Sequence, residues 1–193
     1  MIKKILLGLV GAFALLVVIL LIVISLQPAS FSVTRSQVIN TPAAVPFGYV
    51  NSLQEWPKWS PFEKMDPNLK RTFSGSEAGT GAKYAWAGNS NAGEGLMTIT
   101  DSRPAELVSI KLDFIKPFQA TNQVNFTFTP EAGGTRVSWT MSGDNNFMGK
   151  AMSLVMNMDE MCGSMFEEGL TNLKNVSENP APVGAGPATA ATP

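Results

Sequence analysis

Hydrophobic and polar positions follow three successive patterns along this chain. Residues 5–26 form an unbroken apolar run of 22 residues without a charge. As a helix, that run would extend about 33 Å, enough to cross a bilayer. From Phe31 onward the period is two. Phe31, Val33 and Ile39 share one face of a predicted strand over 31–40. Further strands are predicted over 69–74, 82–87, 94–102, 107–114, 118–129 and 136–142, separated by Gly, Pro and Asn turns. Tyr84 and Trp86 fall on one face, as do Met97 and Ile99, and Val108 with Ile110, Leu112 and Phe114. Over 118–129 the inward set is Phe118, Ala120, Asn122, Val124, Phe126 and Phe128, and over 136–142 it is Val137, Trp139 and Met141. One-sided alternation of this kind predicts an antiparallel sheet with one wet face.

The period then lengthens. Over 146–174, Met148, Ala151, Val155, Met158, Cys162, Met165 and Leu173 recur in steps that suit 3.6 residues per turn, with charged and polar residues opposite. This spacing predicts one long amphipathic helix lying over the sheet. Six of the ten methionines fall in this stretch, and unbranched thioether side chains make a pliable face suited to an apolar cavity. Before the strands, Thr41-Pro42 reads as a helix start. The segment Trp56-Pro57-Lys58-Trp59-Ser60-Pro61-Phe62 follows, and its aromatics suit a plug at one end of the sheet, a lid, or a contact with a membrane surface. Residues 177–193 are mostly Pro, Ala, Gly and Thr, a composition that buries too little surface to order itself. Three segments result: an anchor over 1–28, one folded domain over 29–176 and a disordered tail over 177–193.

Composition narrows the chemistry. A net charge of −1 gives no basic face for nucleic acid. The chain has no histidine, hence neither the usual general base nor the commonest metal ligand. The single cysteine, Cys162, excludes an intrachain disulfide and reads as a structural thiol. Gly79-x-Gly81 is a turn, because it lacks the lysine–hydroxyl pair of a phosphate loop. No metal-ligand spacing and no cofactor motif is present. Lys3 and Lys4 precede the apolar run, and small residues are poorly placed after it for cleavage. The positive-inside rule then predicts a single-pass protein of the cytoplasmic membrane, N-terminus inside and domain on the periplasmic or extracellular side.

Several stretches carry a family resemblance: Trp56-Pro-Lys-Trp-Ser-Pro-Phe62, the run 79–88 from Gly-Thr-Gly to Trp-Ala-Gly, Gly93-Glu-Gly-Leu-Met-Thr-Ile99, Lys116-Pro-Phe118, the run 134–143 around Trp139, and the run 158–173. Over residues 31–174 the chain resembles the START-like (SRPBCC) superfamily and, within it, the polyketide cyclase/dehydrase and lipid-transport family. The resemblance implies an α+β helix-grip fold, a curved antiparallel sheet wrapped around a long C-terminal helix. It also implies binding of a lipid or other small hydrophobic ligand, with cyclase or dehydrase chemistry as the alternative and a structural module with a filled core as a third reading.

The expected ligand-binding residues are Tyr84, Trp86, Met97, Asn122, Phe126 and Trp139 from the sheet, and Met158 and Met161 from the helix. Asn122 stands out as a polar residue on an apolar face, because a buried amide must find a partner in protein, water or ligand. For an enzyme, Glu94 between Gly93 and Gly95 is the candidate carboxylate, with Asn122 and Tyr84 beside it. The expected partners are the small apolar ligand and, through the N-terminal helix, the membrane.

Overall fold

The computed structural model describes residues 2–155 and 157–180, except the side chains of Ile2 and Met158. The predicted tail lies almost wholly outside them. Helix α1, Ile2–Ser25, is apolar on every side and exposed along nearly its whole length. It is long and apolar enough to cross a membrane.

Seven strands follow the predicted alternation: β1 Ser30–Ile39, β2 Lys70–Gly75, β3 Ala82–Ala87, β4 Glu94–Arg103, β5 Leu107–Lys116, β6 Ala120–Glu131 and β7 Gly134–Asp144. They form one antiparallel sheet in the order β1-β7-β6-β5-β4-β3-β2. The order is a meander from β2 to β7, closed by β1 pairing with the last strand. Register shifts at Glu94/Gly95 and Ile99/Asp101 interrupt the β4–β5 ladder, the kind of irregularity that bends a sheet.

Directly opposed residues in an antiparallel pair share a face, so the register sorts the inner face into rows. Phe31, Gly143, Asn122, Leu112, Met97 and Tyr84 form one row across six strands. One row nearer the sheet end lie Ala120, Phe114, Gly95 and Trp86. Two rows the other way, about 13 Å along the strands, lie Arg35, Trp139, Phe126 and Val108.

Phe118 departs from the expected inward set. Strand β6 begins at Ala120, which leaves Phe118 in the β5–β6 hairpin with 64% of its surface exposed.

Helix α2, Ala44–Asn51, leads into two short 3-10 turns, Leu53–Lys58 and Pro61–Lys64. These carry Trp56 and Trp59 into the core, where their indole N–H groups donate to the carbonyls of Val50 (3.0 Å) and Tyr49 (3.2 Å). Of the three roles open to this segment, burial selects the plug.

The single long helix expected over 146–174 is instead two. Helix α3 spans Phe147–Met152 and α4 spans Met158–Glu178. The Asn157 side chain caps α4 by accepting from the backbone N–H groups of Asp159 and Glu160. This arrangement satisfies the orphan donors of a new helix start. α4 then runs four residues beyond its predicted end. It packs chiefly against β1, its buried apolar side chains are Phe166, Leu170 and Leu173, and Ser177, where the tail was expected to begin, is buried in its last turn. Arg35 on β1 holds its first turns: Nη1 and Nη2 donate to the two Asp159 carboxylate oxygens, both at 3.0 Å, and Nε donates to Glu167 at 2.7 Å.

Candidate functional site

The eight candidate residues fall into three groups. Tyr84, Met97 and Asn122 stand in one cross-strand row of the inner face, all buried, with Trp86 half-buried one row nearer the sheet end. Phe126 and Trp139 lie two rows deeper. There they pack with Trp56, Trp59 and Phe166 at ring-centroid distances of 4.2–6.4 Å. That part of the space between sheet and helix is filled by aromatic rings. Met161, on the first turn of α4, is 46% exposed, and the Met158 side chain lies outside the described residues. The structure therefore brings the first four together and places Phe126 and Trp139 beneath α4.

Asn122 is the polar centre of the row. It is only 8% exposed, and its amide nitrogen reaches the Met141 sulfur at 3.8 Å, a weak acceptor. Among the described residues its side-chain oxygen accepts no hydrogen bond. That oxygen lies directly over Gly143, where any Cβ would collide with it. An open depression of about 760 Å³ passes Phe31, Asn122 and Gly143, but most of its wall is polar and faces outward, with Ser32, Lys111, Thr121, Gln123 and Ser142. A second, of about 390 Å³, lies beside it at Asp113–Ile115 and Gln119–Thr121. Both lie toward the sheet end where β1 begins and β7 finishes, and neither is lined by Tyr84, Trp86 or Met97.

Tyr84 has a partner that the sequence did not announce. Its phenol donates to Glu63 Oε1 at 2.7 Å, and Arg71 Nε donates to the other Glu63 oxygen at 2.6 Å. Burial, and next the Glu63 hydrogen bond, push the phenol well above its ordinary pKa. The Glu63 bridge raises the Arg71 pKa in turn. A carboxylate two residues after Pro61 in an aromatic segment was the only available signal, and it sits on no periodic face.

Glu94 occupies the rim, where Lys116 donates to it at 2.9 Å. The glycines beside it have structural causes. Gly93 takes a left-handed φ of 65° at the turn, and Gly95 leaves room for the Trp86 ring. The Trp86 indole N–H is spent on the Ala92 carbonyl at 3.0 Å. Cys162 is half-buried, and burial followed by the charge of Asp159 raises its thiol pKa. Among the described residues no cluster of His, Cys, Asp and Glu could hold a metal ion.

Residues 30–178 match the family described as polyketide cyclase / dehydrase and lipid transport. No curated protein sequence matches the chain. Among solved structures, a protein from Chromobacterium violaceum is 14% identical with a TM-score of 0.56, over 76% of this chain and 96% of that one. A protein from Mesorhizobium loti is 16% identical with a TM-score of 0.55, over 78% and 99% of the two chains. The di-domain ARO/CYC BexL, from the BE-7585A biosynthetic pathway, is 14% identical with a TM-score of 0.59, over 81% of this chain and 52% of its own. At these identities the likeness is one of fold.

Proposed function

Because this chain belongs to the polyketide cyclase / dehydrase and lipid transport family, we propose that it binds a lipid or other small apolar ligand against the Tyr84–Met97–Asn122 row. The ligand lies at the open sheet end, with Trp86, Leu112 and Phe114 as further apolar wall. One observation carries the reading. Asn122 stands on the apolar inner face with its nitrogen on a thioether, and its oxygen, which accepts no bond among the described residues, is left to solvent. A ligand hydroxyl or carboxyl that replaced the water there would gain an oriented hydrogen bond in apolar surroundings. Apolar contact supplies the remaining affinity, at about 25 cal/mol per Å² removed from water. In this reading Phe126 and Trp139 form the floor of the site.

The cyclase or dehydrase alternative has weaker support. Glu94 is engaged by Lys116 at the rim, and Tyr84 gives its proton to a bond with Glu63 while its pKa is driven upward.

The reading includes α1 as an uncleaved anchor, with the N-terminus in the cytoplasm and the domain on the far face of the membrane. Support comes from Lys3 and Lys4 before the span and from the 23-residue apolar helix itself. Mass spectrometry of the protein from carbonate-washed membranes should return a chain that begins at or next to Met1. A soluble form that begins near Ala29 would replace the anchor with a signal sequence.

Binding is tested with the full chain in lipid nanodiscs, titrated with a fluorescent fatty acid. Saturable binding that Met97→Trp abolishes and Asn122→Leu weakens five-fold or more is the expected result. Binding indistinguishable from that of empty nanodiscs would sink the reading.

A further inference from the structure

The sheet end that carries the depression is also the end where α1 joins the domain. Strand β1 begins there at Ser30 and β7 finishes there at Asp144, opposite each other in the register. The β5–β6 hairpin turns at the same end, since Asn122 pairs with Gly143. This end exposes a large apolar surface. Ile115 and Phe118 stand out from the hairpin, and Phe147, Met148, Met152 and Val155 stand out from α3 and the turn after it. Val155 is 79% exposed and Phe118 64%. Soluble monomers rarely leave contiguous apolar patches of more than a few hundred Å² uncovered.

Contacts join this surface to α1 and to the linker that follows it. α3 packs on α1, Lys150 Nζ donates to the Ser25 carbonyl at 3.2 Å, and Asn145 donates to the carbonyls of Pro28 and Ala29. The exposed side chains of α3 therefore continue the apolar surface of α1 where the helix ends. Lys116 and Lys150 stand among them, on stems that can carry an ammonium to a phosphate while the chain lies in apolar surroundings.

We propose that the β5–β6 hairpin and α3 together dock into the headgroup and upper acyl region of the bilayer that α1 spans. Phe118 and Ile115 enter on one side, Phe147, Met148, Met152 and Val155 on the other, at the sheet end nearest the Asn122 row. This placement rests on the anchor reading of α1. It also makes the surrounding bilayer the source of the ligand. Interfacial segments of this kind bind through buried apolar area, and that term is present here.

The test uses the full chain, with Cys162→Ser as background, in liposomes of three parts phosphatidylcholine to one part phosphatidylglycerol. Single nitroxide labels are placed on cysteines at Leu15, Phe118, Met148 and Thr129, the last being exposed at the opposite end of the sheet. Collision rates with oxygen and with a water-soluble nickel chelate are then compared. Leu15, Phe118 and Met148 should all favour oxygen at least three-fold over the chelate, relative to Thr129. If Leu15 lies in lipid while Phe118 or Met148 behaves like Thr129, the docking is overturned and the anchor stands. If Leu15 itself is aqueous, anchor and docking fall together. Far-ultraviolet circular dichroism of each labelled chain confirms the fold, which these exposed positions should not disturb.

Discussion

Trp139 lies flat against Phe166, with ring centroids 4.2 Å apart and planes within 9° of parallel. One ring comes from β7 and the other from α4. The pair adds an aromatic contact between β7 and a helix that otherwise packs chiefly on β1. Gly169 sits close beside it, where a Cβ would press on the Trp139 ring at 2.7 Å.

Trp139→Ala should therefore destabilise the domain by about 3–5 kcal/mol, the usual cost of emptying a buried aromatic site. The measurement is thermal or urea unfolding of the full chain in detergent, followed by tryptophan fluorescence. Trp139→Phe should cost clearly less, because the Trp139 indole nitrogen has no acceptor among the described residues and its loss removes no hydrogen bond.

Acid should loosen the start of α4 before it unfolds the sheet. The hydrogen bonds from Arg35 hold the Asp159 carboxyl below its ordinary value. A carboxylate with a depressed folded pKa contributes stability that is present above its unfolded pKa and lost as pH falls through the folded one. Hydrogen exchange of the backbone at 159–163 should accelerate below about pH 4. Arg35→Gln should show the fast exchange already at neutral pH and little further change on acidification.

Alkali acts on the other side of the molecule. The Tyr84 phenol is held neutral in the folded state, so its contribution to stability is complete below the unfolded tyrosine pKa, about 10, and declines as pH rises beyond it. In a Tyr49→Phe background, which leaves Tyr84 as the one tyrosine, the ultraviolet titration should begin above the ordinary tyrosine range. Glu63→Gln should bring it part of the way back. Burial, the larger cause, remains in that variant.

Asn122→Leu separates binding from folding. Replacing this amide with an apolar side chain of similar size should change the stability by no more than about 1 kcal/mol. A loss of more than about 2 kcal/mol would show that the amide makes a structural bond. Gly143→Ala should disturb the same point by pushing the Asn122 side chain aside, and should lower binding without changing the strand register.

The sheet was legible in the sequence because strand alternation is a local signal, and all seven strands begin and end within two residues of their predicted bounds. The helix break was not, because Met148, Ala151, Val155, Met158 and Cys162 keep helical spacing straight through it. The interruption is written instead in the capping residues. Asn157 followed by Asp159 and Glu160 is an N-cap with an acidic first turn, a signal that the apolar period masks. The site was half legible. Alternation put Tyr84, Met97 and Asn122 on one face, and register then placed them in one row. The same alternation could not say that Phe126 and Trp139 belong to a different depth, nor that Met161 turns outward once α4 starts afresh. Glu63 left no trace, since it comes from a 3-10 turn with no face of its own.

Four residues, Leu26, Gln27, Pro28 and Ala29, separate the last residue of α1 from the first residue of β1. Even fully extended they reach at most about 14 Å, and Asn145 already ties two of them to the end of β7. On the proposed anchoring and ligand binding, the domain would be a fixed station and not a shuttle. It cannot ferry cargo across a gap to a second membrane, and its encounters with donors or acceptors are confined to the plane in which it diffuses. How often it works then depends on how many molecules share each patch of that surface, while the volume of fluid above it hardly enters.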